Sequence, residues 1–223
     1  MTFLDEFYNR TYENAINNKM LYYDYDFPIE QVKKYVDQII NIPLNEFVLR
    51  AINSKTTESI TPKDVFQFSS LEDGTKNICH ILKGKGNPGV TFLEAGKLLL
   101  DDGMLRTDMA YKKYGENHLK IAESIGLLFE LTRTYFVSCL GIVYLSLPSD
   151  EQEKLIIRLF LRNKLIARLI KASSFATVNA RQFFYMLSDT TYIRRKSNIK
   201  SVLRFLECSK EYDFAPYVER IVF

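Results

Sequence analysis

The order of elements that residues 91–147 predict constrains the fold more than any other feature of the sequence. Thr91 is a typical helix N-cap, and the apolar stretch Phe92–Leu100 behind it predicts a short helix. Residues 101–103, Asp-Asp-Gly, predict a turn directly after it. A helix, a turn and the start of a second helix therefore follow one another within a short segment.

The second helix of this pair is longer and leads into a predicted hairpin. It runs from about residue 107 to Gly126, a residue type that commonly ends helices. Residues 127–132 and 135–139 are rich in aromatic and aliphatic side chains and predict two short strands. Arg133-Thr134 would connect them. A further helix follows the hairpin.

This layout is typical of a winged helix, in which the second helix of the pair lies in a DNA groove and the hairpin forms the wing. Residues 148–223 repeat the order of helix, turn, helix and extended element. The sequence thus predicts a mainly α (α+β) fold with two winged-helix-like units and short β-hairpins, at 60–147 and 148–223, behind an N-terminal helical segment, 1–59. Two helices and a hairpin also occur in unrelated α+β proteins.

The composition is that of a globular protein with an uneven charge distribution. Hydrophobic residues make up 47%, and nine Gly and six Pro argue against a disordered or loop-rich chain. Residues 1–105 contain 11 basic and 15 acidic residues, whereas residues 106–223 contain 19 basic and 12 acidic ones. A basic C-terminal half suits a polyanionic partner, although a solvated helix surface would show the same bias.

The N-terminal segment shows no sign of targeting to a membrane. It has acids at Asp5 and Glu6 where a signal peptide has bases, and no apolar run approaches the roughly 18 residues that a membrane span needs. We expect a cytoplasmic protein without a membrane partner. Thr2–Met20 reads as an amphipathic helix. The N-terminal helices are the candidate contact for a homodimer, because helix-turn-helix proteins often read paired half-sites.

The most basic helix of the chain is predicted at residues 192–208, after a turn of good capping residues. Its apolar anchors share one face at helical spacing: Ile193, Ile199, Val202, Leu203 and Leu206. The residues left outward near its start are Arg194, Arg195, Ser197, Asn198 and Lys200. Arg and Asn read guanine and adenine edges with two hydrogen bonds, and Lys neutralises phosphates. A solvated basic face on a structural helix is the alternative.

The helix predicted from residue 107 carries a similar set of side chains. Lys112, Lys113 and Lys120 are candidate phosphate contacts, and Asn117 is a candidate base contact. His118 is predicted on the same helix, within reach of a phosphate.

Two stretches carry a resemblance to a known group of proteins. Residues 188–206, with a Thr-rich turn, two adjacent arginines and a polar helix with apolar anchors, resemble a helix-turn-helix that recurs in restriction-modification systems. Residues 111–120, 125–127 and 139–141 are similar to the same group, as a helix, a Gly-Leu turn and a wing closed by Gly. The likeness covers roughly residues 60–210. It implies winged-helix DNA-recognition modules of type II restriction endonuclease proteins, which are often joined to a nuclease domain.

No catalytic motif is evident, and no cofactor or metal ion is expected. A Mg²⁺ nuclease of the restriction type needs acids at strand ends, but residues 151–154, Glu-Gln-Glu-Lys, read as helix. The cysteines, Cys79, Cys139 and Cys208, lie far apart among apolar residues and predict buried free thiols.

The sequence therefore predicts binding of double-stranded DNA, as the recognition module or subunit of a restriction or related defence system. Association with a nuclease domain or subunit belongs to this interpretation. The alternatives are a transcriptional regulator of winged-helix type, a helical protein-interaction scaffold and a Mg²⁺-dependent nuclease.

Overall fold

The computed structural model describes residues 26–53 and 59–223. Within these ranges the chain is mainly helical with few short strands, which confirms the predicted class. The predicted helix over Thr2–Met20, and the dimer contact assigned to it, lie outside the described residues. None of the helices in these ranges combines the length and the apolar character that crossing a bilayer requires.

Residue contacts divide the chain into two compact units. The first unit comprises Glu72–Leu147 and the described residues up to Asp37, and the second comprises the described part of Gln38–Leu71 and Pro148–Phe223. The division after Leu147 falls where the sequence also placed a boundary. Residues 60–71, however, belong to the second unit and not to the first.

Helix caps and a glycine set the element boundaries of the first unit. The unit contains the first part, up to Asp37, of α1 (Asp26–Asn41), the first helix of the described residues; α2 (Leu44–Asn53) belongs to the other unit. The further elements of the first unit are a π-helical turn (Asp73–Asn77), α3 (Ile78–Gly84), α4 (Phe92–Leu99), α5 (Asp108–Ser124), β1 (Leu128–Leu131), β2 (Thr134–Val137) and α6 (Cys139–Ser146). Thr91 and Glu94 form a capping box at the start of α4. The Thr107 hydroxyl accepts a hydrogen bond from Ala110 N at 3.2 Å, and Gly126 follows α5 at a φ of 89°. A helix, a connecting segment, a second helix and a hairpin thus follow one another in the predicted order.

The hairpin is joined by a third extended segment. β1 and β2 are antiparallel, and Val90, just before α4, forms an antiparallel bridge with Tyr135. The buried side chain of Asn87 accepts from Val137 N at 2.9 Å and donates to Val137 O at 3.2 Å. It thus pairs with the backbone of β2 as a residue of a neighbouring strand would. The turn consists of Thr132 and Arg133, one residue earlier than the sequence suggested.

The second unit is built from helices with one minimal sheet. Besides α2 and the end of α1, it contains a 3-10 turn (Pro62–Asp64), α7 (Ser149–Arg162), α8 (Lys164–Ser173), β3 (Val178–Asn179), a 3-10 helix (Ala180–Phe184), α9 (Asp189–Glu207), α10 (Ala215–Val218) and β4 (Ile221–Val222). Asn163 caps α8 through Leu165 N and Ile166 N, and its amide donates to Asp64 O at 3.1 Å. One side chain therefore starts a helix and ties it to a distant loop.

The prediction of a second β-hairpin is wrong for the described residues. β3 and β4 form a parallel pair, Val178 with Ile221 and Asn179 with Val222. A parallel pair needs a crossover connection, which α9 and α10 supply here. Val178 and Ile221 are both buried, so their pairing contributes to the core of this unit. Among the described residues no hairpin accompanies α9, and the β1–β2 hairpin belongs to the first unit.

Candidate nucleic-acid interface

Helix α5 presents one apolar and one polar side. Leu119, Ile121 and Ala122 are at most 1% exposed and pack into the first unit. Three of the four predicted contact residues on this helix, Lys112, Lys113 and Lys120, are exposed, and Asn117 is half-buried. The helical period accordingly places the predicted contact residues on the side away from the core.

Two of these four side chains have no polar partner among the described residues. The side chains of Lys112 and Asn117 make no hydrogen bond or ion pair with any other described residue. Lys113 Nζ lies 2.8 Å from Glu116 Oε2, in a pair whose side chains are 54% and 40% exposed. Such exposed pairs contribute only about 0–1 kcal/mol, so a phosphate can replace Glu116 at small cost.

Lys120 is the most engaged of the four, because it connects α5 to the hairpin. Its Nζ lies 2.8 Å from Glu123 Oε2 and 3.0 Å from Glu130 Oε2, and the Tyr135 hydroxyl donates to the same Glu130 oxygen at 2.7 Å. Nζ is also 5.1 Å from the Tyr135 ring centroid. Partial burial lowers the pKa of Lys120, but its hydrogen bonds to Glu123, Tyr135 and Glu130 outweigh this and raise the pKa above its usual range. Lys120 thus positions the hairpin as well as facing solvent.

The predicted phosphate contact from His118 is wrong. Its side chain is 0% exposed, and Nδ1 lies 2.8 Å from Tyr114 O. The ring packs on Tyr114 with centroids 4.1 Å apart, and Gly74 approaches it from the π-helical turn. Desolvation lowers the pKa of His118 and outweighs the opposing effects of the Tyr114 carbonyl and the Asp73 charge.

His118 makes the stability of the first unit sensitive to pH. Its pKa is lower in the folded than in the unfolded chain, where it is near 6.5, so the unfolded chain binds protons first. The contribution of the neutral ring is present above pH about 6.5 and is lost as the pH falls toward the folded-state pKa. Urea unfolding between pH 5 and 8 is expected to show this loss. His118→Gln should flatten the pH dependence in this window, and an unchanged slope would contradict the assignment.

In the second unit, two of the five residues predicted on α9 point inward. Arg195 Nη1 donates to Pro62 O at 3.1 Å and to Val65 O at 3.3 Å. Asn198 is 8% exposed, and its amide nitrogen donates to Phe68 O. Both side chains thus lie against backbone carbonyls of residues 62–68 and not on the outward side that the sequence predicted for them.

The remaining three residues predicted on α9 face solvent. Arg194, Ser197 and Lys200 are exposed, and Arg204 extends the same stripe one turn further. Neither Lys200 nor Arg204 has a carboxylate partner among the described residues, and Arg194 contacts only Thr190 O and the Thr191 hydroxyl of its own helix. Ile193, which the sequence placed in the core, lies on the same side of α9 and is 60% exposed. The neighbouring Tyr192 is buried instead. Arg204 was not among the contacts predicted from the sequence, because that prediction covered only residues near the start of the helix. The four-residue spacing from Lys200 would have placed Arg204 on the same side of α9.

The structure offers little for metal chemistry in the part of the chain that it describes. No group of three or more His, Cys, Asp or Glu side chains there is arranged to hold a metal ion. Residues 151–154 lie in α7, as the helical pattern predicted. Cys79 and Cys139 are buried free thiols as predicted, and burial raises the pKa of Cys139 to about 12. Cys208, by contrast, is exposed.

Two surfaces therefore stand out: the outward side of α5 with the adjoining hairpin in the first unit, and the basic stripe of α9 in the second. Comparisons of this chain with protein-family models, curated proteins and solved structures find no match to any of them.

Proposed function

We propose that the first unit is a winged-helix-like module that binds duplex DNA, with α5 in the major groove and the β1–β2 hairpin as its wing. The observation that carries the proposal is the rigid connection between these two elements. Lys120, Glu130 and Tyr135 join α5 to the hairpin, and the Val90–Tyr135 bridge joins the hairpin to the start of α4. A helix and a wing held in one body can follow two surfaces of a duplex at a fixed spacing.

Asn117 is the base-reading residue of the proposal. It is half-buried, lies at the edge of the exposed side of α5, and its amide has no partner among the described residues. A side-chain amide can donate from its nitrogen to N7 of adenine and accept at its oxygen from the N6 amino group in the major groove. Lys112, Lys113 and Lys120 supply phosphate contacts around it.

The charge on this side of α5 is only weakly positive. Glu116 and Glu123 offset two of the three lysines, and Asp108 pairs with Lys97 at 3.1 Å. We expect this module to release few counterions and to show a shallow dependence of affinity on salt. In the second unit, Arg194 and Lys200 of the basic stripe of α9 are candidate phosphate contacts in their own right.

The biological setting that we propose rests on the resemblance to restriction-modification proteins. The chain would act in the cytoplasm as the recognition module or subunit of a restriction or related defence system, with cleavage supplied by an associated nuclease domain or subunit. A transcriptional regulator of winged-helix type is the nearest alternative, since it would use the same surface. The sequence of the preferred duplex and the genomic position of its sites distinguish these two roles.

A duplex-library selection at two salt concentrations, followed by titration of variants, tests the proposal. Asn117→Ala should weaken binding of the selected sequence roughly ten-fold or more and leave random duplexes nearly unaffected, because it removes a base contact worth about 1–3 kcal/mol. Lys112→Ala should weaken both classes of duplex and reduce the salt slope by about 1.

Lys34→Ala is the matched control, since it removes the same charge from an exposed position of α1 that the proposal does not use. Arg194→Ala, measured in parallel, reports the contribution of the α9 stripe. If the parent chain shows no salt-dependent affinity for any duplex, or if Asn117→Ala retains full preference for the selected sequence, the proposed interface is wrong.

A protein-interaction role is the second candidate, and one observation favours it. The loop before α5 exposes Met104 by 65% and Leu105 by 101%, and Met109 is 78% exposed. The loop is ordered, because Arg106 pairs with Asp102 at 2.6 Å and the Tyr111 hydroxyl donates to Met104 O at 2.9 Å. Exposed apolar side chains on an ordered loop suit a protein partner. This candidate predicts no duplex affinity.

A further inference from the structure

The tip of the β1–β2 hairpin has an unfavourable backbone for its sequence. Leu131 pairs with Thr134, so Thr132 and Arg133 form a two-residue turn. Both lie in the left-handed region, with φ of 49° and 66°. Two-residue turns of this kind strongly favour Asn-Gly or Asp-Gly, because these residues tolerate a positive φ.

Thr132 and Arg133 make the turn less stable than it could be. A β-branched residue at a positive φ is a genuine outlier, and each L-residue held there disfavours folding by roughly ten-fold in the equilibrium constant. Neither side chain makes a hydrogen bond or an ion pair with any other described residue, and both are exposed. No contact that the structure describes offsets the strain at the tip.

The tip is nevertheless held in a fixed position. Lys120 of α5 contacts Glu130, which lies close to the turn on β1, and Tyr135 donates to the same carboxylate. On β2, Phe136 packs against Phe129 with ring centroids 5.5 Å apart. The exposed side chain of Arg133 thus lies at the tip of a hairpin whose base is tied to α5.

We infer that Arg133 is a DNA contact that inserts into the minor groove beside the major-groove segment bound by α5, and that strain at the tip is retained for this contact. The inference rests on the proposed function and adds a residue to it. A minor groove is about 6 Å wide, which admits a narrow projection ending in one side chain. Strained backbone at an exposed position is typical of functional sites.

The ligand class follows from the chemistry of the guanidinium. Runs of A·T pairs narrow the minor groove and deepen its negative potential, which attracts an inserted arginine without base-specific hydrogen bonds. Arg133 therefore confers a preference for A·T-rich sequence flanking the site that α5 reads. Asn117 and Arg133 would contribute two independent parts of the specificity.

A turn replacement separates the roles of strain and contact. Thr132→Asn with Arg133→Gly gives the preferred turn sequence, so the urea midpoint and the Tm should rise. The same double variant should bind a duplex with A·T-rich flanks about ten-fold more weakly than the parent does. Its affinity for a duplex with the same centre and G·C-rich flanks should change little. A gain in stability together with a loss of affinity is a combination that no purely structural role of Arg133 produces.

Two single variants serve as controls. Thr132→Asn alone relieves strain and keeps the guanidinium, so it should gain stability and bind as the parent does. Arg133→Lys keeps the strain and one charge but loses the planar group, so it should bind more weakly than the parent on A·T-rich flanks.

The outcomes distinguish this inference from the proposed function. If the double variant binds like the parent while Asn117→Ala loses affinity, Arg133 is not a contact and the α5 interface stands. If the double variant is no more stable than the parent, the tip is not strained and the inference fails. A parent chain without duplex affinity overturns the proposed function and this inference together.

Discussion

Replacing Arg158 by methionine is expected to lower the free energy of unfolding of the second unit by about 3–5 kcal/mol. Arg158 lies in α7 and is 0% exposed, yet it carries a full charge. Its Nη1 lies 2.8 Å from Glu211 Oε2, and Nη2 donates to Ile40 O at 3.1 Å and to Ile42 O at 2.7 Å. The guanidinium thereby satisfies carbonyl groups at the C-terminal end of α1, which have no partner within the helix.

The methionine variant keeps most of the side-chain volume and removes every donor. The buried carbonyl group of Ile40 and the partly buried carbonyl group of Ile42 would then lose these donors. An unsatisfied buried group costs about 1–3 kcal/mol, and a partly buried one costs less. Arg158 Nε is buried and has no hydrogen-bond partner among the described residues. Removing this unsatisfied donor stabilises the variant and offsets part of the lost free energy of unfolding. Urea unfolding monitored by hydrogen exchange in α7 and α8 measures the effect on this unit.

Glu211→Gln is the control for the charge of the pair. The Glu211 side chain is 26% exposed, and glutamine retains an oxygen that accepts from Arg158. Solvent screening at this partly exposed site limits the expected loss to about 1 kcal/mol. If Arg158→Met costs no more than this control, the backbone contacts of the guanidinium do not hold the unit together.

Alanine at Gly96 or Gly115 is expected to destabilise the first unit by about 3 kcal/mol or more, because the backbones of α4 and α5 touch where the helices cross. A Cβ at Gly96 would lie 1.8 Å from Tyr111 O. A Cβ at Gly115 would lie 1.9 Å from Phe92 O and 2.7 Å from Gly96 N. Backbone atoms cannot move aside as a flexible side chain can, so the helices must separate and the cost reaches the upper range for overpacked sites.

Gly84→Ala is the matched control for helix propensity. Gly84 ends α3, and a Cβ there would meet no atom within 4 Å. Alanine is better than glycine in a helix by up to about 1 kcal/mol, so this variant should be neutral or slightly stabilising. Thermal unfolding of the three variants compares them directly. Equal stability of Gly84→Ala and Gly115→Ala would mean that the two helices are not in backbone contact.

The candidate site shows where sequence reasoning succeeds and where it stops. On α5, the sequence identified Lys112, Lys113, Asn117 and Lys120 as candidate contacts, and the structure leaves the three lysines exposed and Asn117 half-buried. On α9 the same reasoning put Ile193 inward and Asn198 outward, and both placements are wrong. The start of α9 is polar on several sides, so its period defines the buried face poorly. Carbonyl groups of residues 62–68, far away in sequence, select that face instead.

The predicted position of the turn at the hairpin tip was wrong for a different reason. The sequence around it contains no Asn-Gly or Asp-Gly to mark a two-residue turn, so the turn was placed at residues 133–134 and not at 132–133. The pairing of Leu128 with Val137, and the bridge from Val90, set the register through long-range contacts. Local residue preferences do not contain that information.

By itself the sequence determined the order of elements and several of their ends, because caps such as Thr91 and Thr107 act through hydrogen bonds to their own helix. It also determined the mainly helical class, through a strong apolar period in most segments. Only the tertiary structure decided which side of α9 is buried, that His118 is enclosed and that β3 pairs in parallel with β4. These features depend on atoms distant in sequence, whose proximity no local pattern records.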